Sequence, residues 1–101
     1  MKTLDALGDP TRRLLFERLR KSSCSVSELI LVVPITQPAV SQHLKVLRDA
    51  KLVRVEKKGR QRIYHLNPVG LAELRRYTES LWDDALRAFG EEAERMANAS
   101  K

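Results

Sequence analysis

The chain of 101 residues carries a single cysteine, Cys24, and only two histidines, His43 and His65. One cysteine makes no intramolecular disulfide, which points to a reducing compartment. No positively charged start leads into an apolar segment, and no apolar run approaches the ~18 residues of a membrane span. Neither export nor membrane insertion is therefore expected, and the expected location is the cytoplasm. No Gly-rich phosphate loop is present, no carboxylate pair lies in an apolar surround, and Cys24 stands apart from any base. The sequence does not read as an enzyme, and it calls for no cofactor. Internal repeats, low-complexity tracts and flexible linkers are also missing, so the length gives one domain with one modest core.

Charge is plentiful, and it is unevenly spread. The formal net charge is +6, with 19 Lys and Arg against 13 Asp and Glu. Residues 36–66 hold eight basic residues (Lys45, Arg48, Lys51, Arg54, Lys57, Lys58, Arg60, Arg62) against Asp49 and Glu56, a net of +6. Residues 78–98 hold six acids against Arg87 and Arg95, a net of −4. A polyanion partner is expected at the first region and not at the second.

Start and stop signals order the chain. Leu4 and Leu7 form a short apolar face that ends at Gly8. Asp9-Pro10 places a capping acid before a proline at the first helical position, and a helix over roughly Pro10–Lys21 should turn Leu14, Leu15 and Leu19 inward. Ser22–Ser25 reads as a polar break. Ser25-Val26-Ser27-Glu28 has the spacing of a capping box, so a helix with Leu29, Val32 and Val33 on its apolar side is expected up to Pro34. Thr36 caps a further helix to about Ala50, in which Pro38 is tolerated in the first turn. Two alternating strands near Val53–Lys57 and Gln61–Leu66 flank Lys58-Gly59-Arg60, where glycine supplies a hairpin turn. Asn67-Pro68 repeats the start signal for a long helix to about Ala97, with Leu71, Leu74, Thr78, Leu81, Ala85, Phe89 and Met96 at three/four spacing. At ~1.5 Å per residue it would span about 42 Å, more than one small domain covers.

The segment TQPAVSQHLKVLRDAKLV (36–53) and the hairpin after it are the most informative part. With Val40 at the centre of the buried face, Leu44 and Leu47 stay beside it, Gln42 falls nearly opposite, Pro38 and Lys45 flank Gln42, and Ser41 lies at the edge. Gln37 sits early enough to reach a base edge or phosphate near the helix start, where backbone N–H groups also favour phosphate. Gln reads adenine bidentately, Ser bonds a base or a phosphate, and Lys neutralises phosphate or approaches guanine. His43, on the flank, either donates to phosphate or packs on the neighbouring helix. In the hairpin, Arg60 and Arg62 suit the minor groove and Lys57 and Lys58 the backbone. The expected fold is mainly α with a small β-hairpin, a winged helix-turn-helix spanning 1–101: helix-turn-helix about 26–50, wing about 53–66. The expected partner is double-stranded DNA.

These residues resemble the ArsR/SmtB family of small bacterial winged-helix repressors. The resemblance runs from Leu4 to about Phe89 and is carried by LDALGDPTRRLLFERL, TQPAVSQHLKVLRDAKLV, GRQRIYHLNP and ESLWDDAL. It implies a repressor that binds a pseudo-palindromic operator as a homodimer joined through the first and last helices (about 2–8 and 68–97). Leu4, Leu7, Leu71, Leu74, Leu81, Trp82, Ala85 and Phe89 are the expected interface. It also implies that Gln37, Ser41, Gln42 and His43 stand in the family's DNA-reading positions; Thr36, at the helix start, is expected among the DNA-binding residues as well. Founding members sense metals through a cysteine pair in an ELCVCDL-like segment. The matching stretch here is SCSVSELI, with Ser25 and Ser27 at the thiolate positions and Cys24 one place earlier. One cysteine and two distant histidines make no tetrahedral site within a protomer, and Trp82-Asp83 is similar to the metal-independent branch. Lys51 stands where the family usually has the glycine of a left-handed helix end; it serves either there or as a phosphate contact.

Two other readings are kept in view. Cys24, with serines around it, suggests an exposed loop end and a redox-responsive repressor. A winged helix can also serve as a protein-interaction module, although its docking face would then be apolar and aromatic rather than Gln, Ser and Lys. The sequence identifies no small-molecule effector.

Overall fold

A computed structural model of the protein describes residues 1–99. Six helices and three short strands follow in the order α1 (Lys2–Gly8), α2 (Pro10–Lys21), β1 (Cys24–Ser25), α3 (Val26–Ile30), α4 (Gln37–Asp49), β2 (Val53–Lys58), β3 (Gln61–Leu66), α5 (Pro68–Phe89) and α6 (Glu91–Ala99). The fold is a winged helix-turn-helix, mostly helical with one small antiparallel sheet.

The caps act as the sequence suggests. Asp9 accepts from the backbone N–H of Arg12, Thr36 from Ala39, and Asn67 from Val69. Ser25 and Glu28 form the complete reciprocal capping box of α3. Each satisfies N–H groups that a helix start leaves unpaired. Leu15, Leu19, Leu29, Val40, Leu44, Leu47, Leu52 and Val53 are essentially inaccessible and form one core beneath α2, α3, α4 and the sheet.

Four expectations are corrected. Leu14 is 53% exposed and Phe16 is buried in its place, because Leu15, Phe16 and Leu19 form the face that meets the core. The helix α3 stops at Ile30; Val32 and Val33 lie in the turn before Pro34, with Val33 still buried. Ser22–Ser25 is more than a polar break, since Cys24 and Ser25 pair with Tyr64 and Ile63 as a third strand, giving the order β1-β3-β2. Finally, the long helix breaks at Gly90, whose φ of 55° is left-handed, and α6 follows as a separate helix.

The hairpin has the expected pairing from Val53 opposite Leu66 to Lys58 opposite Gln61, closed by a two-residue turn in which Gly59 takes φ 60°. At the end of α4, Lys51 holds φ 59°, the left-handed helix end that is one of the two roles open to it. Close by, the first turn of α5 presses on this corner: Gly70 N–H donates to the Lys51 carbonyl at 2.8 Å, and Asn67 N–H to that of Leu52 at 2.9 Å. On the other side, buried Thr3 of α1 donates to Glu73 of α5 at 3.3 Å.

Beyond its first turns α5 leaves the core. Leu71 and Leu74 are half-buried against it, as is Leu7 of α1. Leu4, Leu81, Trp82 and Phe89 are 42, 49, 43 and 65% exposed, and Ala85 is half-covered. Trp82 is therefore only partly covered within the protomer, whereas Tyr64 is buried at 4%. The radius of gyration is 16.7 Å, well above the ~13 Å of a compact chain of about 100 residues.

Candidate nucleic-acid interface

The helix α4 stands on the core through Val40, Leu44 and Leu47, and so turns Gln37, Ser41, Gln42 and Lys45 outward. The hairpin β2–β3 rises beside it. Between them lies a groove of about 630 Å³ lined by Gln37, Ser41, Gln42 and Lys45 on one wall and by Arg60 and Arg62 on the other. Two sets of side chains, separated in the chain by the end of α4 and the whole of β2, thus meet on one concave, cationic surface. The walls differ in chemistry: amides and a hydroxyl suited to base edges face guanidinium groups suited to phosphate and narrow grooves.

The other expected residues lie around it. Thr36 and Pro38 are exposed at the helix start, and Lys57 and Lys58 are exposed on β2 outside the groove, with Lys58 Nζ 3.8 Å from Glu56. His43 is half-buried and turned toward α2, where Arg12 donates to its Nδ1 at 3.4 Å. Arg48, Asp49 and Gln61 also line the groove, and the sequence reading did not assign them. A signal for two of them existed, because Arg48 and Asp49 follow Ser41 and Gln42 by two helical turns and share their face.

The wing is pinned at its base. His65 donates from Nε2 to Glu56 at 3.0 Å, a carboxylate having only acceptors to offer, and its Nδ1 accepts from Ser23 Oγ at 2.6 Å. The His65 bond, with Lys58 nearby, holds the Glu56 carboxyl below its usual range. A lowered folded-state value means that this contribution is present above the ordinary carboxylate range and fades as the pH falls through the depressed value.

Cys24 departs from expectation. It is 1% exposed on β1, its Sγ donates to the Ser22 carbonyl at 3.4 Å, and burial pushes its thiol up, away from the reactive thiolate. The exposed loop end inferred from its serine neighbours is a buried strand. Ser25 is fully engaged with Glu28 through its hydroxyl, donating at 3.1 Å and accepting the N–H at 3.3 Å. The bond that the Glu28 carboxylate accepts from Ser25 N–H, and after it the bond from the Ser25 hydroxyl, hold Glu28 ionised to lower pH than usual. Among the described residues, no three of His, Cys, Asp and Glu cluster so as to hold a metal ion, and no helix is long and apolar enough to cross a membrane.

A helix-turn-helix with a cationic wing defines a class of transcription regulators. The chain belongs to the bacterial regulatory protein arsR family, whose pattern matches residues 9–55. It is 45% identical over 86 residues to the HTH-type transcriptional regulator Rv2034 of Mycobacterium tuberculosis, covering 85% of this chain and 80% of that one. It is 41% identical over 71 residues to the HTH-type transcriptional repressor SmtB of the same species, covering 70% of this chain and 53% of the repressor. Among solved structures, a possible transcriptional regulator for arsenical resistance superposes with a TM-score of 0.76 at 37% identity, over 100% of this chain and 98% of the other. The two mycobacterial relatives are transcriptional regulators, and the chain is a transcriptional regulator of this family.

Proposed function

We propose that the protein is a repressor that binds a pseudo-palindromic operator in double-stranded DNA as a homodimer in the cytoplasm. The observation that carries this reading is the groove in which Gln37, Ser41, Gln42 and Lys45 of α4 meet Arg60 and Arg62 of the wing. In this reading α4 enters the major groove, Gln42 and Ser41 read base edges, Lys45 and the backbone at the start of α4 hold phosphate, and the wing follows the adjacent minor groove.

The two walls have separable roles. Gln42→Ala should relax sequence preference, costing ~1–3 kcal/mol of discrimination at one base pair per half-site. Arg60→Ala should weaken binding to all sequences evenly and flatten the salt dependence by about one unit for each phosphate that a subunit no longer neutralises. Fluorescence anisotropy over a salt series with matched and single-mismatch duplexes measures both. Unchanged affinity and specificity in both variants would mean that the groove does not meet DNA.

The reading includes no metal-sensing site, although a structural neighbour is a possible regulator for arsenical resistance. Supporting this, Ser25 and Ser27 provide hydroxyls where thiolates would be needed, Ser25 Oγ is occupied by Glu28, and Cys24 lies in the core. DNA affinity should stay within a factor of about two on adding chelator or micromolar zinc, cadmium or arsenite. A tenfold, chelator-reversible loss that vanishes in Cys24→Ser would establish a thiolate site, on the order of the effect an occupied sensor exerts.

A further inference from the structure

The half-buried Arg12 side chain, 19% exposed, joins three helices. Its Nε donates to the Ala6 carbonyl at 2.8 Å and its Nη2 to that of Asp5 at 3.4 Å. Both carbonyls belong to the last turn of α1, where a helix supplies no N–H donors for its own carbonyl oxygens. Its Nη1 lies 4.0 Å from the Asp9 carboxylate and donates to His43 Nδ1 of α4 at 3.4 Å. The next residue before His43 in the chain is Gln42, on the groove wall.

We propose that Arg12 is a positioning residue for DNA reading: it ties the end of α1 to the flank of α4 through a neutral His43. The inference rests on the reading of α4 as the recognition helix. The same helix α1 also bears Leu4, a residue of the proposed dimer interface. One guanidinium thereby fixes the angle between the dimerisation elements and the helix that enters DNA.

Histidine chemistry makes the tie conditional. A guanidinium has donors only, so Nδ1 must accept and the single ring proton must sit on Nε2. A second proton turns Nδ1 into a donor aimed at another donor and sets two cations side by side. The charged groups that face His43 are Arg12 and Asp9 at the start of α2. Asp9, whose carboxyl is held low chiefly by the Arg12 backbone N–H, with lesser contributions from the Arg12 and His43 charges, offsets this repulsion only in part. Of α1, the Asp5 and Ala6 carbonyls meet the same guanidinium. Among the described residues, α3 and β2, which also pack on α4, bring no charged side chain into hydrogen-bond or ion-pair contact with the ring.

The sign of the pH effect separates this role from a phosphate contact. If His43 were a phosphate donor, acidification would strengthen binding. As a partner of Arg12, its protonation releases α4 from its seat and lowers preference for the operator. The test is fluorescence anisotropy with the full chain, on a duplex recovered by selection and a scrambled duplex of equal length. The ratio of the two affinities should fall between about pH 8 and about pH 5.5 by about fivefold for each subunit, the loss expected for one net hydrogen bond, and so by about 25-fold for the dimer. Arg12→Gln and His43→Gln should each give a profile flat within about twofold, while His65→Gln keeps the fall and so excludes the wing histidine. If Arg12→Gln proves unfolded by circular dichroism, His43→Gln alone decides. A flat wild-type profile, a rising ratio, or an undiminished fall in His43→Gln overturns the proposal while leaving DNA binding intact. No binding of either duplex at about pH 8 overturns the DNA reading and this inference together.

Discussion

Leu81→Glu combined with Phe89→Glu should yield a folded monomer whose operator affinity is at least about a hundredfold weaker, because two linked half-site contacts become one. The apolar residues of α5 past Leu74 have no core to cover them: Leu81, Trp82 and Phe89 are 49, 43 and 65% exposed, and Met96 of α6 is 66% exposed. Soluble monomers rarely leave such a stripe in water. The helix also carries the chain well outside the compact dimensions of its length. A second copy packed along α5, with Leu4 of α1 beside it, accounts for both observations. Since neither substituted residue belongs to the core of the protomer, circular dichroism should be nearly unchanged while sedimentation equilibrium gives half the mass. A dimer that persists in the double variant would place the contact elsewhere.

Gly70→Ala is expected to be the most damaging single methyl in the molecule. A Cβ there would lie 2.4 Å from the Lys51 carbonyl oxygen, 2.7 Å from its carbon and 2.9 Å from the Ala50 oxygen. All three are backbone atoms at the end of α4, and Lys51 is already held at φ 59°. The clash cannot be relieved by a rotamer change, so α5 must move away and break the Gly70–Lys51 hydrogen bond. The loss should be ~2–4 kcal/mol, combining overpacking with an unpaired backbone group. Urea unfolding measures it directly. Gly8→Ala provides the contrast, because a Cβ at Gly8 meets nothing within 4 Å. Equal stability of the Gly70 and Gly8 variants would mean that the corner between α4 and α5 is soft.

The parts of the fold that the sequence announced are those in which local signals agree. For α4, a Thr36 cap, a first-turn Pro38 and the Val40–Leu44–Leu47 stripe all point the same way, and all three apolar residues are fully buried. In the wing, alternation on both strands and Gly59 at the turn fix one register. What escaped depends on partners distant in sequence. The strand β1 is two residues long, too short for any periodicity, and exists because Tyr64 and Ile63 pair with it. That pairing also buries Cys24, against the expectation from its serine neighbours. Leu14 and Phe16 exchange places because a short run of adjacent apolar residues leaves the inward face ambiguous by one step, and tertiary packing decides it. Gly90 was a visible interruption in the three/four pattern, yet the apolar spacing continues through it and concealed the break. The site divided in the same way: residues on one face of α4 were readable by angle, whereas the contact of His43 with Arg12 crosses 31 positions and has no local signature.

Selection from random duplex DNA, followed by sequencing of the bound fraction, tests the central claim most directly. The expected result is a two-fold symmetric motif whose half-sites are centred about one helical turn, roughly 10 base pairs, or a multiple of it apart, matching two α4 helices in successive major grooves. Recovery of no enriched sequence, or of a single asymmetric site bound by one chain, would contradict it.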